Sequence, residues 1–250
     1  MNPCAYITVG PPNSTSHFHS SDDGINNVNP DWTEQFDYEF NSLGFRGIDF
    51  LPGTDHLVTF GCSHTVGIGI PQKARFGDQL GKDLDMKHLS FASGGADMLT
   101  VLHNINCFLT LSAGEIRPKL AVILWPSVAR FTSYTIKSGL VHSMPNIPND
   151  PSAEEWKKQF IVNWAENVSF LYLAEIIRSV DIMFKAHNIE LMQMSFDRFP
   201  VWPDVASLVT DVPYNREGFI THDQARDYHP GPITHRMIAD SILRRLNLTK

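Results

Sequence analysis

The sequence predicts a three-layer α/β/α sandwich with a mostly parallel central sheet. Short apolar runs alternate with segments whose apolar residues recur at helical spacing, a pattern typical of βαβ units. The run Leu120–Trp125 is continuously apolar, as expected for a central parallel strand covered on both faces. Polar or glycine-containing turns follow the predicted strands, at Ser63, at Gly94-Gly95 and after Trp125. Together these observations predict a ligand site at the carboxyl edge of the sheet.

The composition is that of a globular protein of ordinary size. The chain has 250 residues, of which 42% are hydrophobic and 19% charged, so a single domain can bury a substantial core. The formal net charge is -7, which argues against a nucleic-acid-binding surface as the main function. The sequence contains no run of Lys and Arg that would indicate binding to an anionic membrane surface. We predict one domain over residues 1–250, with neither nucleic acid nor membrane as a partner.

The cysteine spacing and the N-terminal composition bear on compartment and metal content. Cys4, Cys62 and Cys107 form no CxxC pair, which disfavours a disulfide framework and a structural zinc site. The first 30 residues are polar and lack the apolar segment of a signal peptide. No stretch approaches the roughly 20 apolar residues of a membrane span. We expect a cytoplasmic protein that uses no metal and no cofactor.

Each element is predicted in turn from periodicity and turn signals. Residues 1–50, rich in turn formers, are predicted to be an irregular lead-in whose later, aromatic part packs on the domain. The remaining elements are strands over His56–Gly61, Leu89–Ala92, Leu120–Trp125 and Ile189–Ser195 and helices over Arg75–Leu84, Ala96–Leu109, Ala153–His187 and Ile233–Leu246. Proline-containing loops are predicted over 132–151 and 199–228, where they would form walls of the site.

Ser63 is the first candidate for chemistry. It follows the strand His56–Gly61 at the start of a turn, the place where an α/β sheet can expose a nucleophile. Such a turn also directs backbone N–H groups at the same space, where each can stabilise a developing oxyanion by about 3–4 kcal/mol. The alternative is a turn or helix N-cap serine, since serine is favoured at that position.

Asp227 and His229 are the second candidate pair. They lie directly before the last predicted helix, and the Pro-Gly-Pro run that follows fixes a rigid turn. An imidazole at this place can accept the proton of a serine hydroxyl, while Asp227 accepts the other imidazole N–H. The alternative is an ordinary loop histidine, with Asp227 capping a turn.

The neighbouring histidines favour structural interpretations. His222, Asp223, Asp227 and His229 together could be considered as metal ligands, but their spacing matches no standard site. His64 adjoins Ser63, but adjacent residues on a turn usually point apart. His235 lies inside the last predicted helix, where a structural role is expected.

A glycine pair follows the second predicted strand. Gly94 and Gly95 precede the helix that starts near Ala96, so their backbone can approach a ligand closely and direct an N–H group into the site. The alternative is a simple tight turn. Asp97 is either an oriented site residue or, as we favour, a carboxylate in the first helical turn.

The order of these blocks resembles the SGNH (GDSL-like) hydrolase superfamily over about residues 40 to 246. Gly61-Cys62-Ser63-His64 is similar to the first block, which carries the nucleophilic serine of that family. Ser90–Ala96 is similar to the second block, whose glycine supplies an oxyanion N–H and is best matched by Gly95. Asp227-Tyr228-His229-Pro230 is similar to the last block. The resemblance implies a flavodoxin-like sandwich in which Ser63, His229 and Asp227 are catalytic.

The sequence departs from the family pattern after the third predicted strand. The family has an asparagine there that donates to the oxyanion, whereas this chain continues from Trp125 through Ser127 to Arg130 without one. We expect Ser127 to replace that donor, or Trp125 or Arg130 to shape the pocket instead. For Arg46, which precedes the first strand, we expect a structural ion pair.

The resemblance implies a serine esterase that hydrolyses small acyl esters, most simply acetyl esters, through an acyl-enzyme. The expected partner is a small-molecule or carbohydrate ester. Two alternatives stay open. An O-acyltransferase with the same fold would pass the acyl group to a carbohydrate. A non-catalytic binding protein could have kept the fold, an interpretation suggested by the missing asparagine. Acyl length and oligomeric state are not fixed by the sequence.

Overall fold

The computed structural model describes residues 12–19, 35–111, 118–128, 130–135, 139–143, 169–195, 203–211 and 229–248. The strands are β1 (Thr15–His19), β2 (Gln35–Glu39), β3 (His56–Gly61), β4 (Lys87–Ser90), β5 (Leu120–Trp125), β6 (Phe131–Thr135), β7 (Gly139–Ser143), β8 (Glu190–Ser195) and β9 (Val209–Asp211). The helices are α1 (Ser63–Val66), α2 (Phe76–Asp83), α3 (Met98–Leu111), α4 (Ser169–Ala186), α5 (Pro203–Leu208) and α6 (Pro232–Arg245).

A five-stranded sheet in the order β4-β3-β5-β8-β9 lies at the centre of the structure. All of its neighbouring strands are parallel, so each strand needs a crossover connection to the next. Counted from its first strand, the sheet has the order 2-1-3-4-5 that is found in flavodoxin-like folds. The chain therefore reverses its direction of travel between β3 and β5. Ligands bind at such a switch point, outside the carboxyl ends of the strands.

Apolar side chains cover both faces of the central sheet. On one face α2 and α6 pack against β3 and β5 through Phe76, Leu80, Ile238, Ala239, Ile242, Leu57, Leu120, Val122 and Leu124. On the other face α3 and α4 pack through Val101, Ile105, Phe108, Leu173, Ile177, Val180, Phe184, Val58, Phe60 and Ile123. Because both faces are covered, β5 is continuously apolar and all six residues of β3 are buried. This arrangement confirms the predicted three-layer sandwich.

Most predicted elements of the central sheet are found close to their predicted positions. β3 and β5 have the predicted bounds, β8 begins one residue later than predicted, and α6 begins and ends one residue earlier. The strand predicted over Leu89–Ala92 is β4, which begins earlier because Lys87 already pairs with His56 of β3. The helix α3 starts at Met98 because the preceding Asp97 caps it, its Oδ1 accepting the Thr100 N–H at 2.8 Å.

Two segments predicted as loops contain regular structure. The prediction of a loop over 132–151 is wrong in its first part, where β6 and β7 form an antiparallel pair. The prediction of a loop-rich segment over 199–228 is wrong where α5 and β9 lie. β9 has only three residues and is stabilised by pairing with β8, a partner that local sequence does not reveal. The rest of these two segments, and 153–168 of the predicted helix Ala153–His187, lie outside the described residues.

The N-terminal lead-in is also more regular than predicted. Within the described residues β1 and β2 form an antiparallel pair, so the prediction of an irregular segment over 1–50 is wrong there. β2 alternates polar and apolar residues, as a half-buried strand does. Tyr38, Phe40 and Phe45 are buried, and this confirms that the aromatic part packs on the domain. A single domain over residues 1–250 stays a prediction.

Candidate functional site

The turn after β3 places Ser63 beside the switch point. A Cβ at Gly61 would lie 2.1 Å from Thr65 Oγ1 and 2.7 Å from the carbonyl oxygen of Leu124 in β5. Gly61 also has a φ of +156°, so glycine is required both by conformation and by the close approach of β5. Cys62 then begins α1, its carbonyl accepting the Thr65 N–H at 2.9 Å. Ser63 follows as the first helical residue, with 7% of its surface exposed.

A buried guanidinium stabilises the far side of this turn. Arg46 donates to three backbone carbonyl oxygens, those of Val66 at 3.1 Å, Gly67 at 2.5 Å and Ile70 at 2.7 Å. The guanidinium carbon lies 3.8 Å from the centroid of the Tyr38 ring, a cation–π contact. Burial, and then the charge of Arg75, lower the pKa of Arg46 to about 9. The expected ion pair of Arg46 is absent among the described residues, and carbonyl oxygens bind this cation instead.

The loop after β4 is attached to the same turn. The Ser93 N–H donates to the carbonyl oxygen of Gly61 at 3.1 Å. Asn104, fully buried on α3, donates through Nδ2 to Ser93 Oγ at 3.0 Å. Gly95 is half-buried with a φ of +73°, and Gly94 is exposed. The glycine pair is thus reachable from solvent on a loop fixed to the end of β3.

The segment after β5 combines a core residue with polar neighbours. Trp125 is fully buried and its indole N–H donates to Gln193 Oε1 of β8 at 2.9 Å. It therefore supports the strand end from within the core. Ser127 is 5% exposed, and its carbonyl accepts the N–H of the half-buried Arg130 at 3.1 Å. These residues stay proposals for substrate or oxyanion contact.

The segment before α6 contacts the turn after β3. The ring centroids of His64 and His229 lie 5.4 Å apart and the ring planes are inclined by 84°, which is an edge-to-face pair. His229 therefore lies beside the residue that follows Ser63. Sequence reasoning missed this contact, because His64 was expected to point away from the site. Asp227, the proposed partner of His229, lies outside the described residues, as do His222 and Asp223.

A buried histidine attaches α6 to α2. His235 Nδ1 accepts the Phe76 N–H at 3.0 Å, and the two rings stack with centroids 5.9 Å apart. An accepting Nδ1 assigns the proton of this neutral ring to Nε2. Burial, and then the charges of Arg75 and Arg46, lower the pKa of His235 to about 3. His235 is thus neutral at pH 7 and fixes the helix that follows His229, which agrees with the structural role expected for it.

Further charged groups lie around α2 and are largely buried. Asp78 Oδ2 lies 2.6 Å from Arg75 Nε and 3.1 Å from His88 Nδ1, and His88 Nε2 lies 2.8 Å from Thr59 Oγ1. Burial raises the pKa of Asp78, but the charges of Arg75 and His88 outweigh burial and hold it well below its usual range. Burial lowers the pKa of His88. The network joins α2 to β3 and β4.

The described ranges lack two features, a cluster of metal-ligand side chains and a membrane-spanning helix. No group of three or more His, Cys, Asp and Glu side chains in those ranges could hold a metal ion. No helix in the same ranges is long and apolar enough to cross a bilayer.

Comparison with solved structures places this architecture among known folds. The structure is similar to an acetyl xylan esterase from the rumen bacterium Butyrivibrio proteoclasticus, at 12% identity and a TM-score of 0.50, over 87% of this chain and 68% of that chain. It is also similar to a carbohydrate esterase family 2 enzyme with a carbohydrate-binding domain from Corynascus thermopiles (Myceliophthora fergusii), at 12% identity and a TM-score of 0.48, over 82% and 70% of the two chains. A protein assigned to the SGNH hydrolases, from Slackia heliotrinireducens, matches at 16% identity and a TM-score of 0.44, over 78% and 100%. No protein-family model and no curated protein matches the chain.

The likeness, at such low identity, concerns the fold. The molecule is an α/β protein with the flavodoxin-like sheet order 2-1-3-4-5, and it is similar in fold to the acetyl xylan esterase. Its candidate site lies where such sheets bind ligands, between the carboxyl ends of β3 and β5.

Proposed function

We propose that the protein is a serine esterase that cleaves small acyl esters, with Ser63 as the nucleophile and His229 as its base. The observation that carries the proposal is the edge-to-face contact between His64 and His229 at 5.4 Å. It joins the segment before α6 to the turn that bears Ser63, at the switch point of the sheet. A serine needs a nearby base before its hydroxyl becomes an effective nucleophile.

The proposed reaction proceeds through an acyl-enzyme. Ser63 Oγ attacks the ester carbonyl as His229 accepts the hydroxyl proton, and the C–O bond to the alcohol then breaks as His229 returns that proton to the leaving oxygen. The backbone N–H groups of Ser63 and Gly95, with Ser127 as a third donor, stabilise the tetrahedral oxyanion. Asp227 orients the imidazole and stabilises its charged form. Water, deprotonated by His229, then cleaves the acyl-enzyme.

We propose acetyl as the acyl group and a carbohydrate hydroxyl as the alcohol. Only 7% of Ser63 is exposed, and Ser93 of the loop after β4 is bonded to Gly61 two residues before it; a short acyl group therefore suits this position better than a long chain. The same acyl-enzyme would serve a transferase if a sugar hydroxyl replaced water in the second step. Products formed with an added sugar acceptor distinguish the two reactions, since transfer yields a new acetylated sugar and hydrolysis yields free acetate.

The test is ester cleavage by the native protein and by Ser63→Ala. We expect Ser63→Ala to hydrolyse p-nitrophenyl acetate and acetylated xylan at rates lower by roughly a thousandfold or more. Its circular dichroism spectrum should be unchanged. A fluorophosphonate probe should label Ser63 in the native protein. The control is Ser207→Ala on α5, an exposed serine that should leave both readouts unchanged. Equal turnover by Ser63→Ala, or a folded native protein that the probe does not label, would contradict the proposal and favour a binding protein.

A further inference from the structure

We propose that His64 is a positioning residue that holds the His229 imidazole in the plane needed to accept the Ser63 proton. This role rests on the proposed esterase function. The observation behind it is the contact already described, with centroids 5.4 Å apart and ring planes at 84°. In such a pair the edge of one ring meets the face of the other, and this arrangement is favoured by about 0.5–1.5 kcal/mol, so it stabilises one orientation of the second ring.

The ring of His64 can act in this way because its backbone is fixed on both sides. Before it, Gly61 is held against Leu124 of β5 by a contact that leaves no space for a Cβ. After it, Arg46 binds the carbonyl oxygens of Val66, Gly67 and Ile70. α1 itself is closed by the Gly67 N–H, which donates to the Ser63 carbonyl at 3.0 Å. His64 is therefore presented by a rigid turn that also carries Ser63.

His229 depends on a different attachment. It precedes α6, which is fixed to α2 through His235 and Phe76. That contact determines where the helix lies, but it acts several residues beyond the His229 side chain. The ring of His64 contacts the imidazole directly. Both Ser63 and the restraint on its base consequently come from one short helix, so a shift of α1 would move them together.

The expected kinetic effect follows from the precision that proton transfer needs. A catalytic group misplaced by about 1 Å can cost on the order of a hundredfold in rate, and a ring that is still attached but less well oriented should cost less. We expect His64→Ala to lower kcat about tenfold with KM changed less than about twofold. Substrate contacts are expected to lie with the loops after β4 and β5, so KM should not report this change.

The experiment compares His64→Ala with His64→Phe, which keeps an aromatic ring without nitrogen atoms. His187→Ala serves as the control, since His187 is exposed beyond the end of α4. Acetyl ester hydrolysis gives kcat and KM, and the NMR signal of the His229 ring reports the contact independently of turnover. We expect the His229 signal to move in His64→Ala and to return towards its native position in His64→Phe. The kcat should follow the same pattern, with His187→Ala like the native protein.

The outcomes separate this role from the proposed function. In an active native protein, an unchanged kcat for His64→Ala contradicts the positioning role alone. A kcat for His64→Phe as low as that for His64→Ala also contradicts it, since the ring would then act through its nitrogen atoms. A His229 signal that is the same in all variants contradicts the contact itself. A folded native protein that cleaves no ester and leaves Ser63 unlabelled contradicts the esterase function, and the positioning role with it.

Discussion

The two segments that meet at the candidate site are held in place in different ways. The Ser63 turn is fixed directly: Gly61 touches Leu124 of the neighbouring strand, and the carbonyl oxygens of Gly67 and Ile70 bind the buried Arg46. The His229 segment contacts this turn through the ring of His64, and the helix that follows it is attached to α2 by the bond from the Phe76 N–H to His235. The proposed nucleophile thus follows a strand of the central sheet, whereas the proposed base precedes a helix that packs on that sheet.

This difference indicates which kinds of change each segment can tolerate. A turn held by backbone contacts has no spare room, so substitutions there should cost folding stability as well as activity. A segment held through a docked helix depends on the protonation state of the docking residue. The stability of the Ser63 turn should therefore depend on side-chain volume, and that of the His229 segment on pH. Three substitutions can test these two expectations.

The largest effect is expected for Arg46→Met. The substitution removes the donors of three carbonyl oxygens, each of which costs about 1–3 kcal/mol when buried without a partner, while the lost charge no longer has to be desolvated. We expect the free energy of unfolding to fall by about 3–5 kcal/mol, as measured by urea unfolding followed by circular dichroism. The matched control is Arg178→Met on α4, where a partly exposed arginine pairs with the exposed Asp204 and little change is expected. Similar midpoints for the two variants would show that Arg46 does not anchor the turn.

A somewhat smaller loss is expected for Gly61→Ala. The new Cβ would meet the Leu124 carbonyl at 2.7 Å, and this atom cannot move without disturbing β5. Strain and overpacking together should lower the free energy of unfolding by about 2–4 kcal/mol. Gly94→Ala is the control for stability, because a Cβ there meets nothing within 4 Å. If both variants unfold at the same urea concentration, the close approach of β3 and β5 does not exclude a side chain at position 61.

The smallest effect at neutral pH, and the one that addresses the second segment, is expected for His235→Asn. The asparagine side chain can accept the Phe76 N–H but does not titrate, so the variant should lose only about 1 kcal/mol of ring packing at pH 7. In the native protein the pKa of His235 is about 3, lowered chiefly by burial, against about 6.5 in an unfolded chain. Between these values the unfolded state binds the proton and the folded state does not, so native stability is lost as the pH falls from 6.5 towards 3.

The consequence is a crossing of two stability curves. Urea midpoints measured between pH 7 and pH 4 should fall more steeply for the native protein than for His235→Asn, so that the variant becomes the more stable of the two in acid. Asp78 also loses stabilising charge in acid, but it does so in both proteins. The exposed His187→Asn should follow the native curve. Parallel stability curves for the native protein and His235→Asn would mean that protonation of His235 does not destabilise the folded state.

Much of the sheet could be predicted from local sequence, and the exceptions have a common cause. β5 is a continuous apolar run and β3 is apolar at Leu57, Val58 and Phe60, so the burial of both strands is visible in their residues. β9 depends on pairing with β8, and β1 depends on pairing with β2, so both need partners that a window of sequence does not contain. α5 has only six residues, so it is too short for its apolar spacing to predict a helix.

Some residues of the candidate site could likewise be predicted from local sequence, and others could not. Ser63 and Gly95 follow strand ends, and strand ends can be located from the sequence. The contact of His64 with His229 depends on side-chain direction in a four-residue helix and on how α6 docks, and neither has a local signal. The binding of Arg46 by carbonyl oxygens was missed because a lone arginine in sequence suggests a carboxylate partner, whereas a turn supplies acceptors that no residue type reveals.

The reactivity of the Cys62 thiol, next to Ser63, reports how often this turn opens. Cys62 is a free cysteine with 1% of its surface exposed, so an alkylating reagent can reach it only after the chain around α1 separates from β3 and β5. The rate at which iodoacetamide modifies Cys62, mapped by mass spectrometry of its peptide, therefore measures local opening without any substrate. Because the modified atom lies one residue from the proposed nucleophile, that rate also sets a limit on how long the site stays intact under thiol-reactive stress.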